Sequence, residues 1–222
     1  TTPTLKRLFV RAVYARLCRI YSDSGKEREN AMKLILASGS PRRKELLTRA
    51  GAEFEVCVSD VDESGVFGTP EEVVSKLSEM KGAAVFASHK NDCVLSADTV
   101  VALDGEIFGK PKDADDALRM VEVLAGRSHF VYTGVCVMFE KDGKPVVEKN
   151  VVGTEVFFRN ACEEELKAYV ATGEPMGKAG AYAIQGRGGN FVERINGDWS
   201  NVVGLPVCTV IEMLEKAGIR IW

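Results

Sequence analysis

The residues best suited to chemistry begin at Leu34-Ile35-Leu36-Ala37-Ser38-Gly39-Ser40-Pro41-Arg42-Arg43. An apolar strand runs through Ser-Gly-Ser into a helix that opens on proline and two arginines. The free N–H groups and the positive dipole end of a helix start both favour an anion. Ser38 and Ser40 add hydroxyl donors, and Arg42 and Arg43 add planar forks suited to phosphate oxygens. No G-x-x-x-x-G-K-[ST] run occurs, so any phosphate cradle here is built without a P-loop. The same spacing also describes a capped helix carrying two solvated arginines.

A second group surrounds Asp98, in Leu95-Ser96-Ala97-Asp98-Thr99-Val100-Val101. An acid among strand formers is costly to bury unless it is paired, hydrogen-bonded or bound to a cation. At the carboxyl end of a strand it would face the ligand crevice of an α/β fold, as general base or magnesium ligand. A carboxylate satisfied by turn amides is the alternative. Lys110, held between Gly109 and Pro111, and Lys81, in the helix after Thr69, can reach the same crevice. The acidic loop Asp60, Asp62, Glu63 offers oxygen ligands that would complete a hard-cation site with Asp98. From Glu174 to Gly189 the chain is rich in glycine, which lets backbone approach a ligand or turn sharply. Within it Gln185 presents a donor and an acceptor side by side, a match for a nucleobase edge. A plain glycine-rich connector would read the same way.

The elements that must position these groups alternate between strand and helix. Lys33 to Ala37 reads as a buried strand, and Ser40-Pro41 opens a helix through Ala50 that Gly51 stops. Phe54 to Val58 reads as a strand, and Thr69-Pro70-Glu71-Glu72 as a capping box. A strand from Cys93 is expected to end at Asp98. Val100 to Leu103 and Glu106 to Phe108 then form a hairpin about Asp104-Gly105. Asp113 caps a helix, two long strands meet at Asp142-Gly143, Asn160 caps Glu163 to Ala171, and Pro206 starts a last helix. His129 reads as a strand cap. The pattern predicts an α/β fold: a mixed sheet flanked by helices, with two lobes around a central cleft.

Composition excludes several classes. A formal net charge of −3 and only 8% aromatic residues argue against a nucleic-acid-binding module. No apolar run approaches the roughly 20 residues of a membrane-spanning helix, so no membrane partner is expected. Six scattered cysteines form no C-x-x-C pair, arguing for reduced thiols in the cytoplasm over a zinc or dithiol site. Residues 1–31 stand apart as a basic amphipathic extension to a domain over 32–222. Up to Tyr21 they carry five basic residues and no acid, a pattern also used for organellar targeting.

Taken in order, these motifs resemble the Maf family of nucleoside triphosphate pyrophosphatases over about Leu34 to Gly218. The resemblance rests on Ser38–Arg43, Asp62-Glu63, Ala97-Asp98-Thr99, Gly109-Lys110-Pro111, Ala181–Gly186 and Asn196-Gly197…Asn201–Pro206. Where the family usually reads Lys-Ala, this chain has Lys81-Gly82. The resemblance implies an inosine-triphosphatase-like fold and a cytosolic, metal-dependent hydrolase splitting a nucleoside triphosphate into monophosphate and pyrophosphate. It makes Asp98 catalytic and gives base preference to Arg42, Thr99 and Gln185, a trio like the branch acting on dTTP and UTP. The expected cofactor is Mg²⁺, or Mn²⁺, held by Asp98 and Glu63, with Ser38, Ser40, Arg42, Arg43, Lys81 and Lys110 on the phosphates. The expected partner is a small nucleotide, with a homodimer allowed. A non-hydrolytic nucleotide-binding regulator and an inosine or xanthosine triphosphate pyrophosphatase are the alternatives.

Overall fold

Runs of Val, Ile, Leu and Phe at strand spacing assemble one seven-stranded mixed sheet, seen in a computed structural model that describes residues 32–222. The basic amphipathic extension expected over residues 1–31 lies outside the described residues. Strands β1 (Leu34–Leu36), β2 (Glu55–Val56) and β3 (Cys93–Leu103) are mutually parallel. Strands β4 (Glu106–Phe108), β5 (Ser128–Lys141), β6 (Lys144–Phe158) and β7 (Val192–Asn196) join by antiparallel pairing. The spatial order is β2-β1-β3-β5-β6-β7, with β4 beside the far half of β3. Helices α1 (Pro41–Arg49), α2 (Pro70–Phe86), α3 (Ala114–Leu124), α4 (Glu163–Val170), α5 (Trp199–Val203) and α6 (Val207–Lys216) complete the fold.

Local chemistry explains most boundaries. The Thr69 hydroxyl accepts from Glu72 N while the Glu72 carboxylate accepts from Thr69 N, a reciprocal capping box. Asp113 caps α3 through Asp116 N. Both hairpin turns place an Asp-Gly pair at positive φ, 51° and 83° at Asp104-Gly105 and 53° and 72° at Asp142-Gly143. Only those signs match the strand twist in a two-residue loop.

Four expectations need correction. The strand expected to stop at Asp98 continues for 11 residues through it, with Asp98 opposite Gly134 in the β5 ladder. A buried acid requires a partner, not a strand end, and this one has a partner. Helix α4 is capped at Cys162, not at Asn160. The strand expected over Phe54–Val58 shrinks to two residues, because only Glu55 and Val56 stand in ladder register with β1, and Cys57 N makes a last bond to Leu36 O. His129 caps nothing. It lies inside β5, buried edge-on between Phe158 and Tyr182 with Nε2 2.9 Å from the Tyr182 hydroxyl.

The feature that matters for function is a gap in pairing along β3. Its first third pairs with β1 at Cys93 to Leu95, and its last third pairs with β4 at Val101 to Leu103. Between these, the edge of β3 facing β1 and β4 has no strand beside it, although β5 pairs without interruption on the other edge. A cleft opens there. Above and below lie two packed clusters: Val73, Val74, Leu77 and Val100 under α2, and a larger one including Phe108, Leu124, Phe158 and Tyr169 under α3 and α4. At Gly134 an added Cβ would lie 2.3 Å from Val74 O, so the missing side chain lets the α2 backbone rest directly on β5.

Candidate active site

The corner after β1 is held by Arg43. Its Nε donates to Gly204 O (2.8 Å), Nη1 to Ser38 Oγ (3.1 Å) and Nη2 to Thr99 Oγ1 (3.0 Å). Ser38 Oγ also accepts from Ser40 N. One guanidinium thereby joins the strand-to-helix corner, the middle of β3 and the turn after α5. Burial lowers the pKa of Arg43, opposed in part by Asp98, but a guanidinium keeps its charge. Arg42 makes one bond, Nε to Val203 O at 3.3 Å, and among the described residues no acceptor engages its Nη groups.

Asp98 and Thr99 point to opposite faces of β3, as strand geometry demands. Both still reach the cleft because the strand edge between them is open. Thr99 is the more committed: its hydroxyl meets Arg43 and, at 2.9 Å, Thr133. Asp98 Oδ1 accepts from Lys81 Nζ at 2.6 Å, and Lys81 also meets Glu63 Oε1 at 3.0 Å. Side chains of Lys81 and Asp98 are each only 13% exposed, so each partner offsets much of the other's desolvation. Lys81 reaches Asp98 despite the neighbouring departure from Lys-Ala. An added Cβ at Gly82 would lie 2.7 Å from Ser96 Oγ, so glycine allows α2 to close on β3.

The two carboxylates that converge on Lys81 Nζ are also the pair expected to bind a metal. Their facing a common cation fits a hard ion whose remaining ligands are phosphate oxygens and water. The acidic loop supplies only Glu63. Asp62 turns to accept from Ser64 N, and neither Asp60 nor Asp62 lines the cleft. No group of three or more metal-binding side chains occurs among the described residues.

The opposite wall comes from the glycine-rich segment. Gly180 N donates to Gly109 O at 3.1 Å, tying the Lys110 loop to the turn that carries Lys178. Lys178 Nζ donates to Glu174 O. Its pKa is lowered, first by burial and then by the charge of Arg42, while Glu174 opposes the shift. Gln185 stands exposed at the rim on a turn closed by Gly186 N to Ala183 O (3.1 Å). The resulting cleft has a volume of about 590 Å³, and, Asp60 and Asp62 apart, every site residue expected from the sequence, from Ser38 to Gln185, lines it. Five cationic side chains, Arg42, Arg43, Lys81, Lys110 and Lys178, face two acidic ones, Glu63 and Asp98. A chain of net negative charge therefore carries a positive pocket sized for a nucleotide.

The Maf-like protein family matches residues 33–217, the whole of this arrangement. The chain belongs to the Maf family. A protein of Bacillus cytotoxicus named dTTP/UTP pyrophosphatase is 47% identical over 185 residues, covering 83% of this chain and 95% of its own. A Bacillus cereus protein of the same name is 44% identical over 197 residues, covering 88% and 95%. The solved Staphylococcus aureus Ham1 protein aligns over 59% of this chain and 77% of its own, at 19% identity and a TM-score of 0.37, too loose to bear on fold or function.

Two parts of this Maf site were not legible as such. Lys178 lies in the glycine-rich segment without an assigned role, though Gly177 before it and Gly180 after it repeat the setting of Lys110 between Gly109 and Pro111. The carbonyls of Val203 and Gly204, which orient the two arginines, are backbone groups and leave no side-chain signal.

Proposed function

We propose that this chain hydrolyses dTTP and UTP to the monophosphate and pyrophosphate. The observation that carries the reading is the Asp98 carboxylate inside a cationic cleft, bonded through one oxygen to Lys81 while no described group engages the other. Both relatives bear this activity in their names, over nearly their full length.

The residues divide the work by chemistry. A nucleoside triphosphate brings roughly four negative charges, which repel a nucleophile at the α-phosphorus unless cations screen them. Arg42, Lys110 and Lys178 supply cations that no carboxylate side chain engages among the described residues. Ser38 and Ser40 present the corner at the helix start, and Arg43 holds that corner in place. Asp98 orients the attacking water and takes its proton at Oδ2, while Lys81 directs the carboxylate by its hydrogen bond to Oδ1. A divalent cation, Mg²⁺ or Mn²⁺, would be held by Asp98 and Glu63 and, when bound, neutralises phosphate charge and favours pyrophosphate as leaving group. Gln185, whose amide has no hydrogen-bond partner among the described residues, pairs with the O4 and N3–H edge of thymine or uracil. Thr99, bonded to Arg43 and Thr133, bears on specificity through the arginine pair.

The test is release of pyrophosphate across a panel of ribo- and deoxyribonucleoside triphosphates, with and without Mg²⁺. Turnover of dTTP and UTP above the purine and cytosine nucleotides is expected, with loss on metal removal. Preference for inosine or xanthosine triphosphate, or binding without turnover, would overturn the reading.

A further inference from the structure

Glu174 opens the glycine-rich segment, lies outside the cleft lining, and has no part in the chemistry above. Its carboxylate is nonetheless fully engaged. Oε1 accepts from Gly188 N (2.9 Å) and the Tyr169 hydroxyl (3.1 Å), and Oε2 accepts from Arg187 N (3.0 Å). The two backbone donors lie 13 and 14 residues further along the chain, so one side chain closes residues 174–188 into a loop.

Gly186, Gly188 and Gly189 lie outside the cleft lining and serve that closure. A Cβ on Gly186 would lie 2.5 Å from Glu174 Oε2, and one on Gly188 would lie 2.7 Å from the Tyr169 hydroxyl. A Cβ on Gly189 would lie 2.5 Å from Ile184 O. Substitution at any of these would push the returning chain off its own anchor. Gln185 sits two residues before the clamped amide of Arg187. On its other side Tyr182 is buried, with its hydroxyl 2.9 Å from His129 Nε2. The turn bearing the amide of Gln185 is thus fixed at both feet, while its tip stays exposed.

We propose that Glu174 is a positioning residue for base recognition: by binding the amides of Arg187 and Gly188 it sets Gln185 at the height and angle where its amide meets a nucleobase. This rests on the cleft being a nucleotide site, and on Gln185 as the group that reads the base. A carboxylate is required because it accepts at both oxygens. Glutamine keeps one acceptor and turns an N–H₂ toward the other amide, and alanine keeps none. Burial by itself raises the pKa of Glu174, but the Gly188 and Arg187 amides, the Tyr169 hydroxyl and Lys178 together hold it below the ordinary range.

The test compares wild type, Glu174→Gln and Glu174→Ala in three measurements. These are amide exchange at Arg187 and Gly188, kcat and KM across the triphosphate panel, and inhibition by pyrophosphate, which has no base. In Glu174→Ala, exchange at both amides is expected to rise at least tenfold. KM for the preferred triphosphate should rise severalfold with kcat changed less, and the preferred-to-disfavoured ratio of kcat/KM should fall at least fivefold. Pyrophosphate inhibition should stay within twofold, and Glu174→Gln should recover part of the ratio. Unchanged base selectivity with the amides deprotected overturns the proposal. So does an equal loss for every nucleotide together with weakened pyrophosphate inhibition. The glutamine variant preserves volume and carries the test if the alanine variant does not fold. The wild-type panel decides the functional reading separately, because the variants are scored on whichever base wild type prefers.

Discussion

The two walls of the cleft are built on different principles. The wall holding Asp98, Thr99 and the Ser38–Arg43 corner rests on the sheet: register with β5 places Asp98, α2 packed on Gly134 places Lys81, and Arg43 locks the corner. The facing wall, residues 174–188, owes its shape to side-chain hydrogen bonds, with Glu174 gripping backbone amides at one foot and the His129–Tyr182 side-chain pair at the other. Asp98, Ser38 and Arg43 sit on the sheet or at the strand-to-helix corner beside it, whereas Lys110 and Lys178, two further cations of the cleft, sit on loops. The group that reads the base sits on a clamped turn, whose setting is adjustable without disturbing the sheet. Asp98 with its corner and Gln185 with its turn are therefore mechanically separable.

That separation can be broken most severely at Asp98. Asp98→Asn should keep nucleotide binding, measured as Kd for dTTP, and lose turnover about a hundredfold or more, since the amide cannot take a proton. Turnover close to wild type would remove Asp98 from its role.

The second effect falls on the clamped wall through pH. Burial lowers the pKa of His129 to about 4, against about 6.5 when unfolded. Between those values the unfolded chain binds a proton that the folded one refuses. Stability is full above 6.5 and falls as pH drops, by roughly 3 kcal/mol at pH 4. Denaturant titrations from pH 7 to pH 4 should show this loss, and His129→Phe should flatten it. An equal slope in the variant would assign the acid sensitivity elsewhere.

Gln185→Glu should lower kcat/KM for dTTP and UTP roughly ten- to hundredfold, the cost of a lost paired contact of about 1–3 kcal/mol. Pyrophosphate inhibition should hardly move, which sharpens the contrast between the walls. An unaltered substrate profile would place the base elsewhere. The smallest effect is expected for Gly82→Ala. Helix propensity favours alanine by about 1 kcal/mol, but the new Cβ must displace Ser96 Oγ, which donates to Ser78 O. The two nearly cancel, so Tm should shift by less than about 3 °C. A larger fall would show that the contact between α2 and β3 tolerates nothing.

The amino-acid order alone determined the features whose cause is local. The cap at Thr69, the Asp-Gly hairpins and the phosphate-ready corner after β1 follow from a few adjacent residues and their backbone preferences. So does part of the cleft's membership, because Asp98, Lys110 and Gln185 each carried a charge or amide in an apolar or glycine-rich setting, whereas Asp60 and Asp62 lie outside it and Lys178 gave no such signal. Only the tertiary structure decided what each of them does with its bonds. It ran β3 straight through Asp98, because Lys81 arrives from a helix 17 residues earlier in the chain. It spent Arg43 on Ser38, Thr99 and Gly204, and turned the glycines of 186–189 toward Glu174 and the chain itself. A buried charge or a close backbone approach is settled by whichever partner the fold delivers across space, and spacing along the chain does not carry that information.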